Sequence, residues 1–154
     1  MALAAAGYSL VPLAAKLGLK DGQSVVFVDL PEELGELASS RDFAAKRLTG
    51  WPALAEAGEG HDVVHAFTKR RSDLDGNVET FKKMIAPDGA VWISWPKKAS
   101  KIATDISEDV IRDVALPKGL VDVKVCAVDA VWSGLKLVIR KELRQAVRNR
   151  SWSN

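Results

Sequence analysis

A chain of 154 residues fits one compact domain with a sizeable core. Its 47% hydrophobic and 27% charged residues exclude a disordered or fibrous chain. A net charge of +2 is too small to mark a nucleic-acid binder, and no apolar run approaches the roughly 18 residues that a membrane span needs. Neither nucleic acid nor a membrane is therefore expected as a partner. The lone Cys126 has no second cysteine to pair with inside the chain, which points to a reducing, cytoplasmic setting.

Ala2 to Leu19 is apolar, lacks a positively charged start and is interrupted by Lys16. It reads as a short helix with Leu10, Leu13 and Leu17 on one face and Gly18 at its end. The turn signal Lys20-Asp21-Gly22 precedes a continuous apolar run, Ser24 to Leu30, that predicts a strand buried on both faces and hence a parallel sheet. Pro31-Glu32-Glu33-Leu34 opens a helix, with proline in the first turn and two acids at the positive end. Phe43 to Leu48 predicts a weaker strand, Gly50 to Gly60 a loop, and His61 to Phe67 another strand. Ser72 to Ile85 predicts a helix capped by Ser72, with Leu74, Val78, Phe81 and Ile85 at near-helical spacing.

Met84 to Pro96 is the most informative stretch: a helix end, the turn Pro87-Asp88-Gly89, then a buried strand from Ala90 to Trp95. Asp105-Ile106-Ser107-Glu108 resembles a capping box and starts a helix that runs to about Ala115. Val121 to Val128 alternates as a strand, with Val121, Val123 and Val125 inward and Asp122 and Lys124 on a solvated face. Asp129 to Gly134 makes a tight connection to a last strand, Leu135 to Arg140. The whole predicts a three-layer α/β fold with a mostly parallel, Rossmann-like sheet of about six strands. The expected spatial order is 2-1-3-4-6-5 with strand 6 antiparallel, because the last connection is too short for a parallel crossover. Residues 1–141 form one domain in this reading, and residues 142–154 a basic tail.

Two resemblances follow from these motifs. His61 to Phe67, Ala86-Pro87-Asp88-Gly89 and Gly119 to Arg140 resemble the fourth strand, the turn before the fifth, and the closing antiparallel pair of class I S-adenosylmethionine-dependent methyltransferases. Gly7-Tyr8-Ser9, Pro12-Leu13, Lys16-Leu17-Gly18, Trp95 to Lys98, Gly119 to Val125 and Trp132 to Leu135 resemble a small bacterial family described as domain of unknown function 3052. The first resemblance implies a cofactor whose methionine end meets a glycine-rich turn after strand one and whose ribose meets an acid after strand two. Here strand one runs into Asp29-Leu30-Pro31-Glu32-Glu33 with no glycine before Gly35, and strand two ends at Leu48-Thr49-Gly50. Asp29 offers one substitute contact. The expectation is accordingly a degenerate loop with no cofactor, S-adenosylmethionine included, and a third family strand that is missing.

In open α/β sheets, ligands bind beyond the carboxyl ends of the strands. Lys69, Arg70, Trp95, Lys97, Lys98 and Trp132 are placed there and form the candidate ligand site, a basic mouth beside two indoles. The bland alternative is solvated loop charges and tryptophans that pack the sheet edge. His61 and His65 share a strand face without a third ligand, so no metal is expected. Asp105, Ser107 and Glu108 are explained by capping, so no catalytic residue is assigned. The leading functional expectation is a non-catalytic, pseudoenzyme-like binding or regulatory module for an anionic small molecule. A divergent methyltransferase remains open as an alternative. So does a protein-interaction subunit or homodimer, for which Trp51, Trp132 or Trp152 would lie exposed in an apolar patch.

Overall fold

The computed structural model describes residues 10–146. Gly7-Tyr8-Ser9, most of the basic tail and Trp152 lie outside the described residues. Helix α1 (Leu10–Lys16) is closed by two backbone bonds, Leu19 N to Ala14 O at 2.9 Å and Gly18 N to Ala15 O at 3.0 Å. The strands follow as β1 (Ser24–Val28), β2 (Ala45–Thr49), β3 (His61–Phe67), β4 (Ile85–Pro96), β5 (Leu120–Ala127) and β6 (Trp132–Ile139). They form a single sheet in the order β2-β1-β3-β4-β6-β5. The pairs β1–β2, β1–β3 and β3–β4 are parallel, and β6 runs antiparallel to both neighbours. This is the expected six-stranded, mostly parallel sheet with a C-terminal hairpin. Among the described residues no strand pairs outside β2, where a third family strand would stand.

Apolar cover lies on both faces. One face packs against α2 (Arg71–Asp75), α3 (Val78–Met84) and α4 (Glu108–Ala115), through Leu74, Phe81 and Ile111. The other packs against α1 and a 3-10 helix, Glu32–Ser39, through Leu13, Leu17, Leu34 and Leu37. The predicted α-helix after Pro31 is thus a 3-10 helix. The predicted helix Ser72 to Ile85 is two helices, broken at Gly76 and Asn77, where the Asn77 side-chain amide donates to Asp73 O at 2.7 Å. Ser72 does not cap it; Arg70 holds that position. Ser107 does cap α4, accepting from Val110 N at 3.3 Å.

The stretch read as a loop after Gly50 contains a 3-10 helix, Trp51–Ala57, that buries Trp51, Leu54 and Ala57. The Trp51 indole donates to Phe67 O at 3.0 Å. Trp51 and Trp132 are each only 8% exposed, so neither supplies an exposed apolar docking patch. Among the described residues no helix is long and apolar enough to cross a membrane. At the Pro-Asp-Gly turn, a Cβ on Gly89 would lie 2.8 Å from His61 O. Only glycine lets β4 enter beside the irregular start of β3.

The alternation expected in β5 fails at one residue. Asp122 pairs with Leu137 and Lys124 pairs with Lys136, so Val123 is an extra residue on the β5 side. The bulge inverts the pleat: Val123 and Val125 are 52% and 42% exposed. Asp122 is also not simply solvated. It accepts from Arg112 Nε at 3.0 Å, and Arg112 Nη2 donates to Glu108 at 2.9 Å, which ties β5 to α4. That bond from Arg112 holds the Asp122 carboxyl below its ordinary range.

His65 lies at the sheet centre, 1% exposed, with Nε2 2.7 Å from Ser94 Oγ and its ring stacked on Phe67 at 4.3 Å. Gly134 faces Ser94, and a Cβ there would stand 2.9 Å from Ser94 Oγ. Burial lowers the His65 pKa to about 3, so the ring is neutral in the folded protein. An unfolded histidine protonates near pH 6.5, so protons bind the unfolded chain first and stability falls as pH drops from about 6.5 toward 3. Urea unfolding across that window should show about 1.4 kcal/mol lost per pH unit through this residue. His65→Gln, which keeps a partner for Ser94, should lose correspondingly less; parallel pH profiles for the two proteins would exclude His65 as the source.

Candidate functional site

The carboxyl ends of β1, β3 and β4 frame the candidate site. At the end of β1 the chain turns through Asp29, which adopts φ 54°. Left-handed backbone is unusual for a residue other than glycine, although Asp and Asn tolerate it best. The conformation is held by a backbone bond, Asp29 N to Thr49 O at 2.9 Å, that joins the ends of β1 and β2. Gly50 sits close beside it, where an added Cβ would be 3.3 Å from Asp29 Oδ1.

Asp29 and Pro31 lie between two clefts. The first, about 430 Å³, is lined by Asp29, Pro31, Phe67, Thr68, Lys69, Arg70, Asp73 and Trp132. The second, about 470 Å³, is lined by Phe27, Asp29, Leu30, Pro31, Glu32, Gly35, Leu48 and Thr49. In the first cleft Thr68 Oγ1 donates to Asp73 Oδ2 at 2.6 Å and accepts from Arg70 N at 3.0 Å. Arg70 Nε lies 3.6 Å from Asp73 Oδ2 on a side chain 72% exposed, so this pair is largely screened. Burial, reinforced by the charge of Asp73 and partly offset by Arg70, raises the Asp29 pKa above its ordinary value. The Trp132 ring stands edge-on to Phe67 at 5.3 Å and closes one wall. Its backbone N–H donates to Asp129 Oδ1 at 2.7 Å.

A third cavity, about 520 Å³, lies at the end of β4 and is lined by Trp95, Pro96, Lys98, Lys101, Ile102 and residues 103–107. A strap of backbone separates it from the first cleft. Lys69 O accepts from Thr104 Oγ1 at 2.7 Å and from Asp105 N at 3.2 Å, and Arg71 N donates to Asp105 Oδ1 at 2.7 Å. Asp105 therefore anchors the strap, while Ser107 makes the helix cap.

The six residues expected to form one basic mouth are divided between these spaces. Lys69, Arg70 and Trp132 line the first cleft, Trp95 and Lys98 the third cavity, and Lys97 lines none of them. Lys97 N instead donates to Val131 O at 2.7 Å, tying the end of β4 to the turn before β6. The cleft also holds an acidic element that the basic reading omitted, Asp73 beside Asp29. Its signal was weak, since Asp73 sits in the first turn of a helix where acids are ordinary. His61 is occupied, with Nδ1 2.8 Å from Ser24 Oγ and Nε2 2.7 Å from Ala57 O. No cluster of three metal-ligating side chains occurs among the described residues.

No family model and no curated protein matches the chain. Solved structures do. A TehB-like S-adenosylmethionine-dependent methyltransferase from Corynebacterium glutamicum is 13% identical with a TM-score of 0.59, covering 90% of this chain and 93% of that one. Magnesium protoporphyrin IX methyltransferase from Synechocystis with bound S-adenosylhomocysteine is 13% identical, TM-score 0.58, covering 86% and 80%. Fibrillarin from Aeropyrum pernix with natively bound S-adenosylmethionine is 14% identical, TM-score 0.57, covering 82% and 73%. The fold is that of class I S-adenosylmethionine-dependent methyltransferases.

These likenesses correct the expectation of a scaffold without a cofactor, because proteins of this fold hold S-adenosylmethionine or S-adenosylhomocysteine. They also lend no support to the non-catalytic reading. The physical error lay in equating glycine with the turn: Asp29 makes the left-handed turn itself. If that conformation is required, Asp29→Asn should retain the wild-type melting temperature closely. Asp29→Val, whose branched side chain disfavours left-handed backbone, should cost about 1–2 kcal/mol. Thermal unfolding of the pair at neutral pH decides it; equal losses would mean that the carboxylate rather than the backbone matters to stability.

Proposed function

We propose that this chain binds S-adenosylmethionine in the two clefts flanking Asp29 and acts as a divergent methyltransferase, within the small bacterial family that its motifs resemble. The observation that carries the reading is the left-handed turn at Asp29, which opens a cleft on each side at the carboxyl end of β1. The donor set fits the cofactor. Asp29 and Asp73 offer negative charge to its cationic methionine end. Phe27, Leu30 and Leu48 offer an apolar wall to its adenine, and Thr49 a hydroxyl to its ribose. Each cleft falls within the range of about 300–1,000 Å³ in which small ligands bind.

When bound, S-adenosylmethionine supplies an electrophilic methyl group. The chain's own residues bind and orient. Trp132 and Phe67 wall the first cleft against water, and Thr68 fixes Asp73 through its 2.6 Å bond. The cavity beyond Trp95, with Lys98 and Lys101 on its lining, suits a methyl acceptor that carries a negative group.

Calorimetric titration with S-adenosylmethionine should give micromolar affinity, about −8 kcal/mol. Asp29→Asn should weaken binding about tenfold, or 1.4 kcal/mol, by removing charge while keeping the turn. Affinity should also fall as pH drops into the range just above ordinary carboxylate values, because the raised Asp29 pKa neutralises the group early. No binding tighter than about millimolar would defeat the proposal.

A further inference from the structure

One row of paired residues runs across the sheet: Phe27, His65, Trp92, Lys136 and Lys124, on β1, β3, β4, β6 and β5 in turn. Cross-strand partners share a face, so the row begins under apolar cover and ends in two lysines directly opposite each other. Like charges in that position repel and destabilise a sheet. The bulge at Val123 creates the arrangement, because an unbroken strand would put Lys124 on the face that Asp122 occupies.

Two further lysines reach the same place. The Trp92 indole donates to Leu17 O at 3.0 Å, which brings the end of α1, and Lys16 with it, over the row. Lys124 Nζ stands 6.0 Å from the centre of the Trp92 ring. The Lys136 ammonium is destabilised by burial and then by the charges of Lys124 and Lys20, and Lys16 and Lys124 act together on Cys126. None of the four lysines has a carboxylate partner among the described residues, whereas Arg70, Arg71, Lys82, Arg112 and Arg140 all do. Residues 1–9 and 147–154 contain no Asp or Glu that would supply one.

We propose that Lys16, Lys20, Lys124 and Lys136 form a binding site for a small polyvalent phosphate on the α1 face of the sheet, separate from the strand-end clefts. Four ammonium groups on three separate chain segments recognise charge rather than planar geometry, which suits phosphate oxygens. Trp92, the indole beside the patch among the described residues, is fully buried and offers no stacking platform for nucleic-acid bases. A polyphosphate chain, free or as part of a nucleotide, matches that chemistry, and its binding is independent of the methyltransferase reading.

Inorganic tripolyphosphate is the probe, and the melting temperature at fixed ionic strength the readout. Tripolyphosphate should raise it by linkage to the folded state, and sodium chloride at the same ionic strength should not. Lys124→Gln with Lys136→Gln should weaken the apparent affinity by about tenfold or more. Lys83→Gln, exposed on α3 against the opposite face of the sheet, should leave it unchanged. Lys124→Glu should raise the melting temperature without anion, since an opposed Lys–Glu pair attracts, and should abolish the tripolyphosphate shift. A wild-type shift no larger than that of sodium chloride overturns the proposal. So does a shift that survives in the double variant, or one lost in Lys83→Gln.

Discussion

The row through Phe27, His65, Trp92, Lys136 and Lys124 is the constraint on which the rest of the structure depends. Trp92 at its centre has no exposed surface, so its indole N–H needs an acceptor inside the protein. Leu17 O provides one at the end of α1, and that bond fixes where α1 crosses the sheet. His65, between Phe27 and Trp92, can be buried only as the neutral ring that shares a hydrogen bond with Ser94. Ser94 in turn fits only because Gly134 opposes it across β4 and β6. A single apolar row thus specifies the register of four strands and the position of a helix.

The strand-end face follows from a different economy. A left-handed turn after β1 is needed to carry the chain from the sheet into its first crossover, and glycine normally supplies it at no steric cost. Here an aspartate takes the conformation and the surrounding structure holds it, through Thr49 O and the close approach of Gly50. Strain of this kind persists where neighbouring contacts over-determine the backbone, and such positions concentrate at ligand sites. The same residue also brings a carboxylate to the border between two clefts. A glycine would have opened the turn but contributed no charge.

Most of the fold was legible because its signals are local. The apolar run at β1, the Pro-Asp-Gly turn before β4 and the short connection before β6 each have few physical interpretations. Together they fixed the strand order. What was not legible arises from pairing. The bulge at Val123 is invisible in a sequence that alternates from Val121 to Val125, because an extra residue is defined only against a partner strand. The break at Gly76 and Asn77 was masked by apolar residues at continuous helical spacing on both sides. The basic residues Lys69, Arg70 and Lys98 stand beyond the carboxyl ends of β3 and β4, where the strand boundaries read from the sequence put them. Their division between two cavities depends on the Lys69 strap, whose bonds to Thr104 and Asp105 span more than thirty residues.

Charge is distributed far less evenly than a net value of +2 suggests. The cleft beside β1 and β3 is lined by Asp29 and Asp73 together with Lys69 and Arg70, and Asp73 lies deeper than the Arg70 guanidinium that reaches out toward water. The cavity at the end of β4 carries Lys98 and Lys101 beside the single acid Asp105. A backbone strap separates the two spaces, so each presents its own charge pattern to a ligand. Their separation also matters electrostatically, because salt screens charges that are exposed and more than about 8 Å apart, but buried charges much less. Asp29 is itself exposed at the border of the two clefts, so its charge acts at close range on a ligand seated in either and is screened beyond about 8 Å.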